Sequence, residues 1–157
     1  RLFNAQTSFQ IGSVCVTPVP VPHDAREPTQ FAFDGAGVRV GVLTDLGHVT
    51  PHVSDVYRSC NALLVEANHD REMLWNGTYP QNLKRRIASA HGHLSNEQTV
   101  ALLEDIGSDA LREVVVGHIS EQNNCAQSLG RAFAELRLRL PRLRFATQRE
   151  GFGWIDL

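Results

Sequence analysis

Lysine is nearly absent. Lys84 is the only one, so fourteen of the 15 basic residues are arginines. Acidic residues number 17, and the net charge of -2 leaves no field of one sign to draw the chain onto nucleic acid by charge alone. Cysteine is sparse and odd in number: Cys15, Cys60 and Cys125, with no Cys-x-x-Cys pair. That excludes a disulfide scaffold and fits a reducing, cytoplasmic setting. No apolar run nears the roughly 20 residues that span a bilayer, so no membrane partner is expected. The opening Arg-Leu-Phe-Asn has no apolar leader and no initiating Met, and the chain reads as part of a longer polypeptide. Repeats and low-complexity tracts are missing too. What remains is 157 residues, 42% hydrophobic and 20% charged. This is globular composition, enough for one domain with a core, and it excludes disorder, collagen and coiled coil.

The pattern along the chain predicts α/β structure with a mixed sheet. Residues 13–21 read as a strand that Pro18 and Pro20 confine to an edge or an exit. Residues 29–33 alternate, with Asp34-Gly35 as a hairpin turn. Residues 38–44, 62–66 and 113–117 read as strong strands. Pro80 suits the first position of a helix over 80–90. Ser95 and Gln98 form a capping-box pattern before a helix that Gly107 closes. A longer helix is expected over 122–139, stopped by Pro141. The tail, with Leu143, Phe145, Phe152, Trp154 and Ile155 around Gly151, reads as a terminal pair of strands.

The chemistry gathers where the strong strands end: Asp45 after the first, Glu66 at the end of the second, His118 after the third. Each alone is equally an ordinary polar residue at a strand end. If the strands run parallel, the three share the rim on which α/β sheets bind ligands. His23 follows Val19-Pro20-Val21-Pro22, which forces a rigid, extended approach. Imidazole and carboxylate together are a donor set for zinc or manganese. His93, in His91-Gly92-His93, lies just before the capped helix, where free N–H groups favour an anion such as phosphate. There it could serve as a general acid oriented by Glu66. His48 and His52 read as loop or rim residues. Lys84-Arg85-Arg86 reads as a solvated helix face that could also meet phosphates. Arg137, Arg139, Arg142, Arg144 and Arg149 form either a basic strip or, more simply, a solvated helix end and strand face. Trp75 and Trp154 are expected to pack.

Six blocks in order, Val21-Pro22-His23-Asp24-Ala25, Thr44-Asp45-Leu46-Gly47, Glu66-Ala67-Asn68-His69-Asp70, Lys84-Arg85-Arg86-Ile87, Gly92-His93-Leu94-Ser95-Asn96-Glu97 and Gly117-His118-Ile119-Ser120, resemble the second half of a metallo-β-lactamase-fold hydrolase. The subgroup they resemble is the YycJ/WalJ type, related to tRNase Z and to phosphodiesterases of phosphonate pathways. The resemblance implies an αββα sandwich of which residues 1–157 form a single, partial domain. It lacks the upstream His-x-His-x-Asp-His motif. It further implies a hydrolase of phosphodiester bonds, a DNA or RNA nuclease of exonuclease-like type, with two divalent metal ions, zinc or manganese, that activate a water. His23, Asp45 and His118 correspond to metal ligands, with Asp45 as the bridge. Glu66 and His93 correspond to a catalytic pair beside the scissile phosphate. Asn68 and His69, from the Glu-x-Asn-His-Asp signature, join Lys84, Arg85 and Ser95 as candidate substrate-binding residues. A small-molecule phosphodiesterase and an inactive fragment or scaffold are the alternatives. Implied partners are nucleic acid or another phosphodiester, a second copy, or the missing N-terminal half.

Overall fold

Strands of alternating apolar residues pair in sequence order into one sheet, β1-β2-β3-β4-β5-β6-β7. The computed structural model describes residues 3–107, 109–140, 142–149, 151 and 153–157. β1 (Phe9–Ile11), β2 (Val14–Pro20), β3 (Thr29–Gly35) and β4 (Val38–Leu43) run antiparallel to their neighbours. β5 (Ala62–Glu66), β6 (Glu113–Gly117) and β7 (Leu143–Phe145) continue from β4 in parallel. The mixed sheet is as expected, and so is the place of Pro18 and Pro20. The Val21 amide bonds the Pro28 carbonyl, so by alternation the two prolines stand where an N–H would point away from β3. β1 pairs only with Val14, Cys15 and Val16, which leaves that side of the prolines an open edge.

Several boundaries differ from expectation. The hairpin turn is not Asp34-Gly35, both of which pair within the β3–β4 ladder. Ala36 and Gly37 make it, at φ of 51° and 78°. Two positive φ values are what a two-residue loop needs to follow the strand twist. Pro80 is the N-cap of α3 (Gln81–Ile87) rather than its first residue. The expected long helix is two, α5 (Ala126–Ala132) and α6 (Ala134–Arg139), parted at Phe133, whose ψ of 7° leaves the helical range. Pro141, expected to stop it, lies outside the described residues. So does Phe152 in the tail, where β7 and a Thr147–Gly151 bridge stand in place of a strand pair. α1 (Pro51–Tyr57) takes in His52, expected in a loop, and α2 (Arg71–Asn76) was not expected. α4 (Asn96–Ile106) has its capping box, and Gly107 closes it at φ 75°.

Each parallel crossover advances the sheet in the same direction. Crossovers of this kind are right-handed, so their helices fall on one face. The core lies there: Leu43, Leu63, Val65, Val114 and Val116 pack with Val53, Tyr57, Leu102, Leu103, Leu129 and Leu136. On the other face Phe31, Phe33, Val40, Val42 and Leu64 stay only half-buried. Phe3 covers one margin, its ring 5.7 Å from Phe9 and 5.6 Å from Phe31. The chain thus contributes one β layer and one helical layer. Trp75 and Trp154, expected to pack, are exposed at 45% and 102%. The arginine strip is dispersed into local pairs: Arg139 with Glu104, Arg142 and Arg144 with buried Glu113, and Arg137 over the Phe145 ring.

Candidate metal and catalytic centre

Parallel pairing puts the carboxyl ends of β4, β5 and β6 on one rim, as the strand endings predict. Asp45 and His118 leave their strands in the left-handed region, at φ of 56° and 48°. With the turn residue Ala36 they are the only non-glycine residues of positive φ among those described. Such backbone costs about 1–3 kcal/mol per residue and persists only where its surroundings hold it. Here the Asp45 amide donates to Glu66 Oε2 at 3.0 Å, and Asn68 Nδ2 donates to the His118 carbonyl at 3.2 Å.

Two more loops are stitched to this rim. The Gly47 amide bonds the Pro22 carbonyl at 2.8 Å, and the Asp24 amide bonds the His91 carbonyl at 2.9 Å. A side chain at Gly47 would collide with the Ala90–His91 peptide, so this approach requires glycine. His23 and His93 are thereby brought together, their rings 5.1 Å apart, and His93 lies 5.0 Å from His118.

Glu66 is the hub. It is fully buried, and its two oxygens meet five donors. Oε1 accepts from the Leu46 amide at 3.3 Å and the Leu94 amide at 2.8 Å. Oε2 accepts from the Asp45 amide and lies 3.1 Å from His93 Nδ1 and 2.9 Å from His118 Nδ1. Burial alone would raise its pKa. The bonds from His118, His93 and the Leu94 amide outweigh burial and bring it down to about 2. An ionised carboxylate only accepts, so both Nδ1 atoms carry hydrogen and both Nε2 atoms are left as the free nitrogens. In return the bond to Glu66 raises the pKa of His118 against the effect of burial. His23 is set the same way: its Nδ1 lies 3.0 Å from the Gly92 carbonyl, which can only accept.

Asp45, Glu66, His93 and His118 each offer a donor atom within 4.8 Å of the others. His23 Nε2 lies 3.8 Å from Asp45 Oδ1. Imidazoles whose second nitrogen is anchored on a carboxylate or a carbonyl, grouped about a half-exposed aspartate, suit a divalent cation. The residues present therefore fit a metal. The rim opens into a cleft of about 500 Å³ whose walls include His23, Asp24, Asn68, Tyr79, Arg86, His93 and His118.

The expected substrate contacts fare less well. Lys84 is 5% exposed, and its ammonium donates to the carbonyls of Trp75 at 2.8 Å and Gly77 at 2.7 Å. It is spent on a turn and offers nothing to a phosphate. Arg85 is exposed but does not line the cleft; Arg86, one residue on, does, and it pairs with Asp24. Ser95 is buried, its hydroxyl committed to Glu97 at 2.8 Å and to the cap. His69 is buried behind the rim with an unpartnered Nδ1, away from the cleft walls. Asn68 does line the cleft, while its amide braces His118. The sequence reading took Arg86 only as part of the Lys84-Arg85-Arg86 cluster that could meet phosphates, and it gave Asp24, which stands inside a block it singled out, no role. It also missed Thr99, whose hydroxyl donates to the Glu66 carbonyl at 2.7 Å, and the buried amide pair Asn96–Asn124. Neither shows a signal in sequence.

His69 carries a prediction. Burial, with help from nearby His93, lowers its pKa to about 4 from an ordinary 6.5. The unfolded chain therefore binds a proton between these values that the folded chain does not. Stability is full above pH 6.5 and falls as pH drops toward 4, by about 3 kcal/mol. Denaturant unfolding of the metal-free, full-length protein should show this slope, and His69→Gln should flatten it. Equal slopes would remove His69 as its source.

Carboxylates and anchored imidazoles at the carboxyl rim of an α/β sheet, over one cleft, make a candidate divalent-metal centre. Residues 1–119 match the family described as beta-lactamase superfamily domain, and the chain belongs to that family. It is 37% identical over 123 residues to the exodeoxyribonuclease YycJ of Bacillus anthracis, covering 78% of this chain and 47% of the relative. To the exodeoxyribonuclease WalJ of Streptococcus pneumoniae it is 33% identical over 125 residues, covering 79% and 46%. The chain thus spans about half the length of the curated relatives it matches. Its fold is like that of the metallo-β-lactamase fold protein YhfI from Bacillus subtilis, with a TM-score of 0.68 at 14% identity over 98% of this chain and 54% of that one. Among the described residues no helix is long and apolar enough to cross a membrane.

Proposed function

We propose that this chain is the C-terminal half of a metal-dependent phosphodiesterase that cuts nucleic acid, with DNA as the first substrate to test. The observation that carries this is Glu66, one buried carboxylate fixing the Nδ1–H of both His93 and His118 beside Asp45 at the mouth of the cleft. The exodeoxyribonuclease names of the two curated relatives support the substrate class. His23, Asp45 and His118 would hold two divalent ions, zinc or manganese. Bound there, the ions would supply charge neutralisation and a water activated at neutral pH. His93, held by Glu66 at Nδ1, would act as the doubly protonated imidazolium, passing its Nε2 proton to the leaving oxygen and keeping the Nδ1 proton on Glu66. Arg86 and Asn68 place the phosphate against the rim. The upstream half would lay its own sheet over Phe31, Phe33, Val40, Val42 and Leu64 and supply the remaining ligands. The three free cysteines support a reducing, cytoplasmic location.

The test is hydrolysis by the full-length protein, loaded with manganese or zinc, of single-stranded DNA, RNA and a small phosphodiester. DNA cleavage that a chelator abolishes is expected. Turnover of the small diester alone would favour the small-molecule reading. Residues 1–157 by themselves should give no metal-dependent turnover and should self-associate through the bare sheet face. Turnover at the full-length rate would refute the half-site reading.

A further inference from the structure

On the cleft wall formed by α3 and the turn before it, Arg86 alone takes part in the chemistry above. Tyr79, Leu83 and Ile87 follow one another at intervals of four residues and all line the cleft, with Ile119 completing an apolar surface. Tyr79 is half-buried, and its hydroxyl makes no hydrogen bond among the described residues. The backbone on either side of it is held, after it by the bond from the Lys84 amide to the Pro80 carbonyl at 3.0 Å. The Lys84 ammonium grips the Trp75 and Gly77 carbonyls. Gly77 lies so close to its surroundings that an added Cβ would meet the Met73 carbonyl oxygen at 2.8 Å. A buried lysine is costly unless its charge is met by good acceptors. Here that interaction fixes the turn that carries Tyr79.

A ligand that fills this cleft needs a phosphate at the imidazole and carboxylate side and a flat, apolar group at the α3 side. Resting on the phosphodiesterase reading above, we infer that Tyr79 is a stacking platform for a nucleobase next to the scissile phosphate. Leu83 and Ile87 form the apolar floor beneath it. A tyrosine ring on an immobilised turn loses little freedom on binding, and every base presents a π-face to it. The platform therefore selects for a base without selecting which one.

The test is a cycle that removes the ring from the enzyme and the base from the substrate. Full-length wild type, Tyr79→Phe and Tyr79→Ala are assayed with manganese on a single-stranded oligodeoxynucleotide and on an abasic deoxyribose-phosphate oligomer of equal length. Binding of both oligomers is measured in parallel with calcium in place of manganese. Stacking on an aromatic side chain is worth about 5–150-fold per base. Tyr79→Ala should lose that factor in kcat/KM and in affinity on the normal oligomer only, and Tyr79→Phe should keep both. Equal losses on the two oligomers would overturn the platform while leaving the phosphodiesterase reading intact. Failure of wild type to cleave either oligomer would overturn the phosphodiesterase reading and the platform with it.

Discussion

His93→Ala in the full-length protein should keep its metal and lose about 10²–10⁴-fold in kcat, the usual worth of a positioned general acid. His118→Ala should lose metal and activity together. The two imidazoles are alike in one respect, since each has its Nδ1 on Glu66 Oε2. They differ in their backbone. His118 stands in a left-handed turn at the end of β6, braced by Asn68, whereas His93 sits on the loop before the capped helix α4. The costlier conformation is spent where a donor atom must not move, and that suits a ligand. Metal content and kcat measured on both variants decide the assignment. If His93→Ala strips metal as His118→Ala does, His93 is a ligand. If it leaves kcat unchanged, its Nε2 delivers no proton.

Glu66→Ala should be among the most destabilising single changes available to the chain, at about 3–5 kcal/mol. The alanine would leave the buried amides of Leu46 and Leu94, the Asp45 amide and two imidazole nitrogens without their acceptor. Glu66→Gln preserves the volume and one acceptor oxygen but turns an NH₂ toward donors, so it should fall between the two. Denaturant unfolding of the three proteins measures the order. A Glu66→Ala variant within about 0.5 kcal/mol of wild type, the range of an ordinary surface change, would show that the hub is not structural.

Much of the site was legible because it sits at strand ends. Runs such as Val38–Leu43 and Glu113–Gly117 are recognisable from β-branched content, and the polar residues just beyond them fall on a shared rim once the strands run parallel. The capping box at Ser95 announced its helix for an equally local reason. What could not be read depends on distances across the fold. Nothing local shows that Glu66 serves two histidines, 27 and 52 residues away. Within Lys84-Arg85-Arg86, helix phase sends one side chain inward to a turn, one to solvent and one to the cleft, and the sequence alone does not say which. The break at Phe133 is tertiary as well, since that ring is wholly buried and packs on Phe145 with centroids 5.4 Å apart.

The strictly sequential order of the sheet bears on how the molecule comes into being. Each strand lies beside the one synthesised just before it, and none must be inserted between two already placed. The β1–β4 pairings are of short sequence separation, close small loops and form quickly, whereas β6 must return to β5 across 51 residues. The sheet can therefore grow strand by strand as the chain leaves the ribosome, with β4 and β5 setting Asp45 and Glu66 in place. The helices between β5 and β6 then carry in His93. The centre is complete only when β6 docks and swings His118 into its turn. A chain interrupted before residue 113 would have most of its sheet and no working centre.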